Sequence, residues 1–190
     1  MSEKTLRTAA KDEKAGRRRR WLPFLMTAVL LAVDQLSKAW VVANMPLGEI
    51  YRKYFGDFIW LWHVRNTGAA FSLGAGGGDF VRVLLFIVLP LAVMGFLAWA
   101  IVSPKSRLTP AQRWFCAGIL GGGLGTIWDR VFRFSEGVVD FISIRFYGLF
   151  GLERWPTFNL SDSYVVIFVI LLAFSLVFEK KAPENKEAKK

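Results

Sequence analysis

Residues 21–42 read WLPFLMTAVLLAVDQLSKAWVV. A helix of about 20 such residues crosses the roughly 30 Å of hydrocarbon in a bilayer. The run follows Arg17-Arg18-Arg19-Arg20 and so looks like a secretion signal. It is longer than a signal-peptide core of roughly 7–15 apolar residues, and no small-residue cleavage site follows it cleanly. It is expected to be a retained first helix. Three further apolar runs, at about 81–102, 112–131 and 162–179, have comparable length. The expected fold is all-α and membrane-embedded, with four transmembrane helices and a small extracytoplasmic β-rich segment.

The charges agree with this reading. The chain has 190 residues, 54% hydrophobic and 15% aromatic, and a net charge of +10. Residues 1–20 carry +5, residues 103–113 carry +3 and residues 179–190 carry +2, while the rest is neutral overall. A nucleic-acid binder gathers its bases on one folded face. Here they flank apolar runs, as cytoplasmic loops and tails do, so nucleic-acid binding is excluded. With four spans both termini share a side, and the 103–113 loop falls on that same side. Residues 1–20 are thus expected to form a basic cytoplasmic tail. Residues 21–179 form a membrane domain with outer segments 43–80 and 132–161, and residues 180–190 form a charged cytoplasmic tail.

Segment 43–80 holds the aromatic and β-branched stretch Phe55-Gly56-Asp57-Phe58-Ile59-Trp60-Leu61-Trp62-His63-Val64. Such a stretch predicts a short strand or hairpin, broken by the glycines at 74 and 76–78. Segment 132–161 mixes Gly137, Gly148, Gly151 and Pro156 with Phe146, Tyr147, Phe150 and Trp155, rings suited to a membrane–water interface. His63 reads as a surface residue among those aromatics. The single cysteine, Cys116, forms no internal disulfide, and one histidine with one cysteine makes no ordinary zinc site. No metal and no cofactor are expected; a hard-metal site built only from carboxylates stays open as an alternative without support in the sequence.

Carboxylates in the apolar segments are the next clue, because each costs on the order of 2.5–3.5 kcal/mol at a helix centre. Asp34, Asp129, Asp140 and Asp162 lie in or beside such segments, and Asp79 less deeply. Asp34 and Lys38 are one turn apart on one helix face, where they can pair. Span directions bring Asp34, Lys38, Asp129, Arg130 and Asp162 to one depth near the outer surface, and Asp140 can fold back onto them. Structural roles stand beside functional ones. Asp34 with Lys38 can be a neutralising pair, Asp129 with Arg130 a helix end, and Asp162 a helix cap. Asn66 and Asn159 can be turn residues. Asp140, within Val138-Val139-Asp140-Phe141-Ile142, has no such local structural task.

Five blocks occur in order: Asp34-Gln35-Leu36-Ser37-Lys38, Asn66-Thr67-Gly68-Ala69-Ala70-Phe71-Ser72, Gly121–Arg130 (GGGLGTIWDR), Val138-Val139-Asp140-Phe141 and Phe158-Asn159-Leu160-Ser161-Asp162. Together they resemble the bacterial lipoprotein signal peptidases (signal peptidase II). The resemblance implies an aspartic endopeptidase of the bacterial inner membrane. It would remove the signal peptide from diacylglyceryl-modified prolipoproteins, cutting before the lipidated cysteine. It implies Asp140 and Asp162 as the catalytic pair. Asp34, Lys38, Asn66, Gly68, Arg130, Asn159 and Asp129 would shape the site or contact substrate. Its implied partners are the lipidated prolipoprotein and membrane lipids, with the enzyme a monomer. Thr126 and Ser161 depart from the family pattern, which has Asn and Ala there.

Two close carboxylates share a proton and split their pKa values, enough for general acid–base hydrolysis without a side-chain nucleophile or metal. A serine–lysine peptidase is the chemical rival. Ser37 and Lys38 are adjacent and so point about 100° apart on a helix; Ser161 is a candidate by position only. A small transporter or channel subunit is the rival of another class. It would bring inverted repeats and broken helices at mid-membrane, and the sequence has no internal repeat.

Overall fold

A computed structural model describes residues 16, 19–67 and 78–178. Gly68, most of the glycine-rich break and nearly all of both charged tails lie outside the described residues, as does the side chain of Asp79. The elements run in the order α1 (Pro23–Asn44), β1 (Ile50–Tyr54), β2 (Ile59–Asn66), α2 (Gly78–Val83), a π-helical turn (Leu84–Val88), α3 (Leu89–Val102), α4 (Pro110–Phe132), β3 (Val138–Ile144) and α5 (Leu160–Phe178).

Polarity in α1 is inverted relative to a water-soluble helix. Its buried stripe is Pro23, Thr27, Asp34, Lys38 and Val41, while Leu25, Val29, Val33, Leu36 and Trp40 are exposed. α5 goes further: Ser161 is its buried residue, and Val166, Ile167, Ile170 and Phe174 face outward. Water would not tolerate so large an apolar surface, whereas hydrocarbon would. Among the described residues, three helical stretches, Arg19–Asn44, Leu84–Val102 and Leu160–Phe178, are long and apolar enough to cross a membrane. The second contains the π-helical turn, in which the Leu89 N–H reaches back to the Leu84 carbonyl. Pro90 explains the turn, since its ring would clash with the carbonyl four residues earlier, that of Phe86.

α4 spans 23 residues, roughly 34 Å of helix rise, but its glycines and charges make it less apolar. It starts on a capping box: Thr109 Oγ1 accepts from the Gln112 N–H at 3.2 Å, and Gln112 Oε1 accepts from the Thr109 N–H at 2.9 Å. Pro110 occupies the first turn, where its missing N–H has no cost. α4 packs against α1, α3 and α5, and its glycines permit this. A Cβ on Gly118 would collide with the Phe168 ring, and one on Gly122 would lie 2.6 Å from the Ser161 carbonyl. Small residues allow such close helix approach where lipid leaves no hydrophobic force between helices.

The expected β-rich segment is a three-stranded antiparallel sheet, β1-β2-β3. β1 and β2 form the expected hairpin in the first outer segment, and β3 comes from the second. Nothing in the sequence of that second segment, beyond rings suited to the membrane–water interface, signals this strand. Val138, Val139, Asp140 and Phe141 are all buried, so the alternation that signals a strand is missing. The register sets Val64 opposite Asp140 and Asn66 opposite Val138. Phe158 then adds a short bridge to Ile142, with its N–H donating to the Ile142 carbonyl at 2.9 Å. That bridge delivers the chain into α5 beside the middle of β3.

Candidate active site

Asp140 is 2% exposed and accepts two side-chain hydrogen bonds. Asn66 Nδ2 donates to Oδ2 at 3.0 Å and Asn159 Nδ2 donates to Oδ1 at 2.7 Å. The first is a diagonal pair on one face of the β2–β3 ladder; the second comes from the residue just before α5. Neither asparagine is merely a turn residue. Asn159 also faces Asp162. Its N–H donates to Asp162 Oδ2 at 3.1 Å, and its Oδ1 accepts from the Asp162 N–H at 3.1 Å. This reciprocal arrangement caps the start of α5. One asparagine therefore holds both carboxyl groups.

Burial raises the pKa of Asp140 to about 7, and the negative charge of Asp162 pushes in the same direction. The Asn66 and Asn159 hydrogen bonds and the charge of Lys38 oppose the rise without cancelling it. A carboxyl group that holds its proton near neutrality beside a second carboxyl is suited to proton transfer.

Beneath the pair lies a buried charge ladder. Lys38 Nζ is 2.7 Å from Asp34 Oδ2 and 2.8 Å from Asp129 Oδ2, with all three side chains fully buried. Arg133 closes the ladder at 2.5 Å from Asp129 Oδ1. Asp34 Oδ1 accepts the Ser161 N–H at 3.0 Å, which ties α1 to the first turn of α5. Gly125 makes room: a Cβ there would lie 2.6 Å from Asp34 Oδ2. Sequence spacing indicated the Asp34–Lys38 pair. Arg133 was missed, although its i+4 spacing from Asp129 was the available signal. The Arg130 guanidinium lies over the Phe86 ring at 5.0 Å, near enough for its charge to reach Asp162. It lines a small cleft with Thr67, Phe86, Ile87 and Phe134.

Two sequence readings change. His63 is not on the surface. It is 3% exposed, and its Nδ1 lies 2.9 Å from the carbonyl of Met45, itself buried. Ser161, the positional candidate for a serine nucleophile, is fully buried. Lys38, the base it would need, is held between two carboxylates. Ser161→Ala is therefore expected to retain cleavage within about twofold, because its buried hydroxyl makes no hydrogen bond among the described residues and leaving a buried hydroxyl unpaired costs about 1–3 kcal/mol. A rate measurement on the purified variant decides this; loss of activity would restore the serine reading.

Asp162 also borders a groove of about 380 Å³ walled by Ile144, Phe146, Trp155, Phe158, Val166 and Ile167, with Ser163 beside it. The site therefore has a polar floor and an apolar flank.

Comparison with known proteins agrees with this architecture. The family described as signal peptidase (SPase) II matches residues 26–178. A lipoprotein signal peptidase of Treponema denticola is 49% identical over 159 residues, covering 84% of this chain and 90% of that protein. One of Borrelia hermsii is 43% identical over 152 residues, covering 80% and 87%, and one of Treponema pallidum is 36% identical over 162 residues, covering 85% and 86%. A solved structure described as a bacterial membrane enzyme superposes with a TM-score of 0.67 at 25% identity, covering 88% of this chain and 94% of its own.

Proposed function

The chain belongs to the signal peptidase II family, and from that premise we propose that it removes signal peptides from diacylglyceryl-modified prolipoproteins by an aspartic mechanism on Asp140 and Asp162, cutting before the lipidated cysteine. The observation that carries the aspartic reading is the shared asparagine: Asn159 hydrogen-bonds both carboxyl groups while burial keeps Asp140 protonated up to about pH 7.

In the proposed reaction Asp162 carries the negative charge and takes a proton from a water molecule. That water attacks the scissile carbonyl carbon. Asp140 donates its proton to the carbonyl oxygen, which gives a neutral tetrahedral diol. On collapse, the proton on Asp162 passes to the departing amine of the lipidated cysteine. Asp140 recovers its proton from the diol hydroxyl as the new carboxyl group forms. The pair ends as it began, and a water has been consumed across the peptide bond. Such proton transfers contribute about 10²–10⁴-fold each. Asn66 and Asn159 hold Asp140 in place, and the ladder of Asp34, Lys38 and Asp129 braces the helices beneath. Gly68 and Arg130 retain the substrate-side roles that the family resemblance implies. The apolar groove beside Asp162 suits a substrate that stays in the bilayer.

For the membrane arrangement we infer four spans, α4 included, and both termini on the cytoplasmic side of the bacterial inner membrane. The basic segments 1–20, 103–113 and 179–190 support that orientation, with the sheet and the aspartates on the other face. The partition into a 21–179 peptidase domain and two tails, and the monomeric state, belong to the same proposal.

The test is direct. Purified full-length protein is expected to release the signal peptide from a lipidated prolipoprotein, and to leave the same precursor uncut when it lacks the lipid. Because the mechanism needs the Asp140 proton, kcat/KM is expected to fall as pH rises through about 7. A rate that keeps climbing tenfold per pH unit up to pH 9 would contradict the protonated role of Asp140.

A further inference from the structure

At the end of the helices opposite the aspartates, a second cavity of about 470 Å³ lies between the starts of α1 and α4. Arg19, Arg20 and Arg113 line it together with Leu22, Pro23, Leu108, Pro110 and Trp114. Pro110 and Asp129 are separated by roughly 28 Å of helix rise, so this cavity is no part of the peptidase site.

Among the described residues, none that lines it is acidic. Arg113 is fixed: its guanidinium donates to the carbonyls of Ala100, Ile101, Ser103 and Ser106, closing the end of α3. Arg20 is near enough for its charge to act unfavourably on Arg113. Residues 19–20 and 103–113, which meet here, carry +2 and +3. The cavity is a concentration of positive charge that an anion would relieve.

Its remaining walls choose among anions. Leu22 and Trp114, which line it, are exposed, and so are Trp21 and Leu25 close by in the chain. Tryptophan rings of this kind sit at headgroup level. A free phosphate would satisfy the guanidinium groups and leave the apolar walls uncovered. A lipid phosphate satisfies the cations, while its chains cover Leu22 and Leu25.

We propose that the cavity of Arg19, Arg20 and Arg113 binds the phosphate headgroup of an anionic diacyl phospholipid. This rests on the chain spanning a membrane and not on the assignment of Asp140 and Asp162. Basic pockets between helices at the cytoplasmic surface take anionic headgroups in this way.

The experiment uses the full chain, delipidated in detergent and offered phosphatidylglycerol and phosphatidylethanolamine in equal amounts, with bound lipid counted by native mass spectrometry. Phosphatidylglycerol is expected to be retained on the order of tenfold more than phosphatidylethanolamine. Arg19→Gln with Arg20→Gln is expected to abolish that preference while cleavage activity is kept. Arg52→Gln with Lys53→Gln, on the sheet, leaves the preference intact. Equal retention of the two lipids by the wild-type chain, or an unchanged preference in the Arg19/Arg20 variant, overturns the proposal. Displacement of the lipid by millimolar inorganic phosphate overturns the lipid as occupant. A photoactivatable phosphatidylglycerol gives a reading independent of any variant. Its label is expected within 19–25 or 107–114, and labelling confined to other peptides counts against the site.

Discussion

Asp140→Asn is expected to lower the rate of prolipoprotein cleavage by about 10³-fold or more, with the protein still folded. The substituted side chain keeps the shape of the original and loses the transferable proton. Two opposing effects bear on its stability. Asn66 and Asn159 each donate to one Asp140 oxygen. The variant offers one acceptor oxygen in place of two, which leaves a donor facing an amide at about 1–3 kcal/mol. Against that, wild-type Asp140 has its pKa raised to about 7 from an ordinary value near 4. Between those values the folded protein holds a proton that the unfolded chain has released. The stability this group contributes is therefore full below about pH 4 and lost as pH rises through about 7, a span of roughly 4 kcal/mol. Asparagine has no such dependence. The variant is thus expected to be less stable than wild type at pH 4 and more stable than it at pH 8, by about 1–3 kcal/mol in each case. Asp162→Asn is expected to lose activity to a similar degree, since it cannot take the proton from water, and to stay folded, since its remaining oxygen can still accept the Asn159 N–H and cap α5. Cleavage assays with thermal unfolding at both pH values check these statements together. Near-wild-type activity in either variant removes the aspartic pair.

Lys38→Met is expected to be strongly destabilising. Methionine keeps most of the stem and removes the charge. Asp34 and Asp129, both fully buried, would then share a dry site without the cation between them. Breaking a buried ion pair by removing one partner costs about 3–5 kcal/mol. That is a large part of the 5–15 kcal/mol that holds a typical domain together. The variant should unfold at a markedly lower temperature in detergent or fail to accumulate in the membrane. A triple variant, Lys38→Met with Asp34→Asn and Asp129→Asn, is expected to recover most of the loss, because it removes the carboxylate charges that Lys38 neutralised, of which only Asp129 keeps a cation in Arg133, and keeps the shapes. Recovery would mark charge burial as the cause; no recovery would point to lost packing around the lysine stem. A Lys38→Met protein that unfolds with wild type would show that the ladder is not needed for stability.

Much of this site was legible before any coordinates. Asp34 and Lys38 declare their pairing through i,i+4 spacing on one helix face. Span direction carried Asp129 to their depth, and the ordered blocks pointed to Asp140 and Asp162. Three features were hidden. β3 was obscured because it is buried on both faces, so Val138-Val139-Asp140-Phe141 shows no alternation. The burial of His63 depends on Met45, which reaches it only when the hairpin folds back over the end of α1. The bond from the Ser161 N–H to Asp34 joins residues 127 positions apart, and its donor is a backbone group that every residue but proline carries.

Local chemistry in the chain was enough to settle the apolar runs, the basic segments between and beside them, the hairpin after the first helix and the family. Each depends on residues close in sequence, or on an ordered set of motifs, and the hydrophobic effect and helix geometry act on these in the same way wherever they fold. Which groups meet was decided by tertiary packing alone. Glycines on α4 let α1 and α5 approach, the β2–β3 register set Asn66 beside Asp140, and the Phe158 bridge brought Asn159 between two carboxyl groups. Burial and mutual repulsion, which hold the proton on Asp140, exist only once those separate elements close over it.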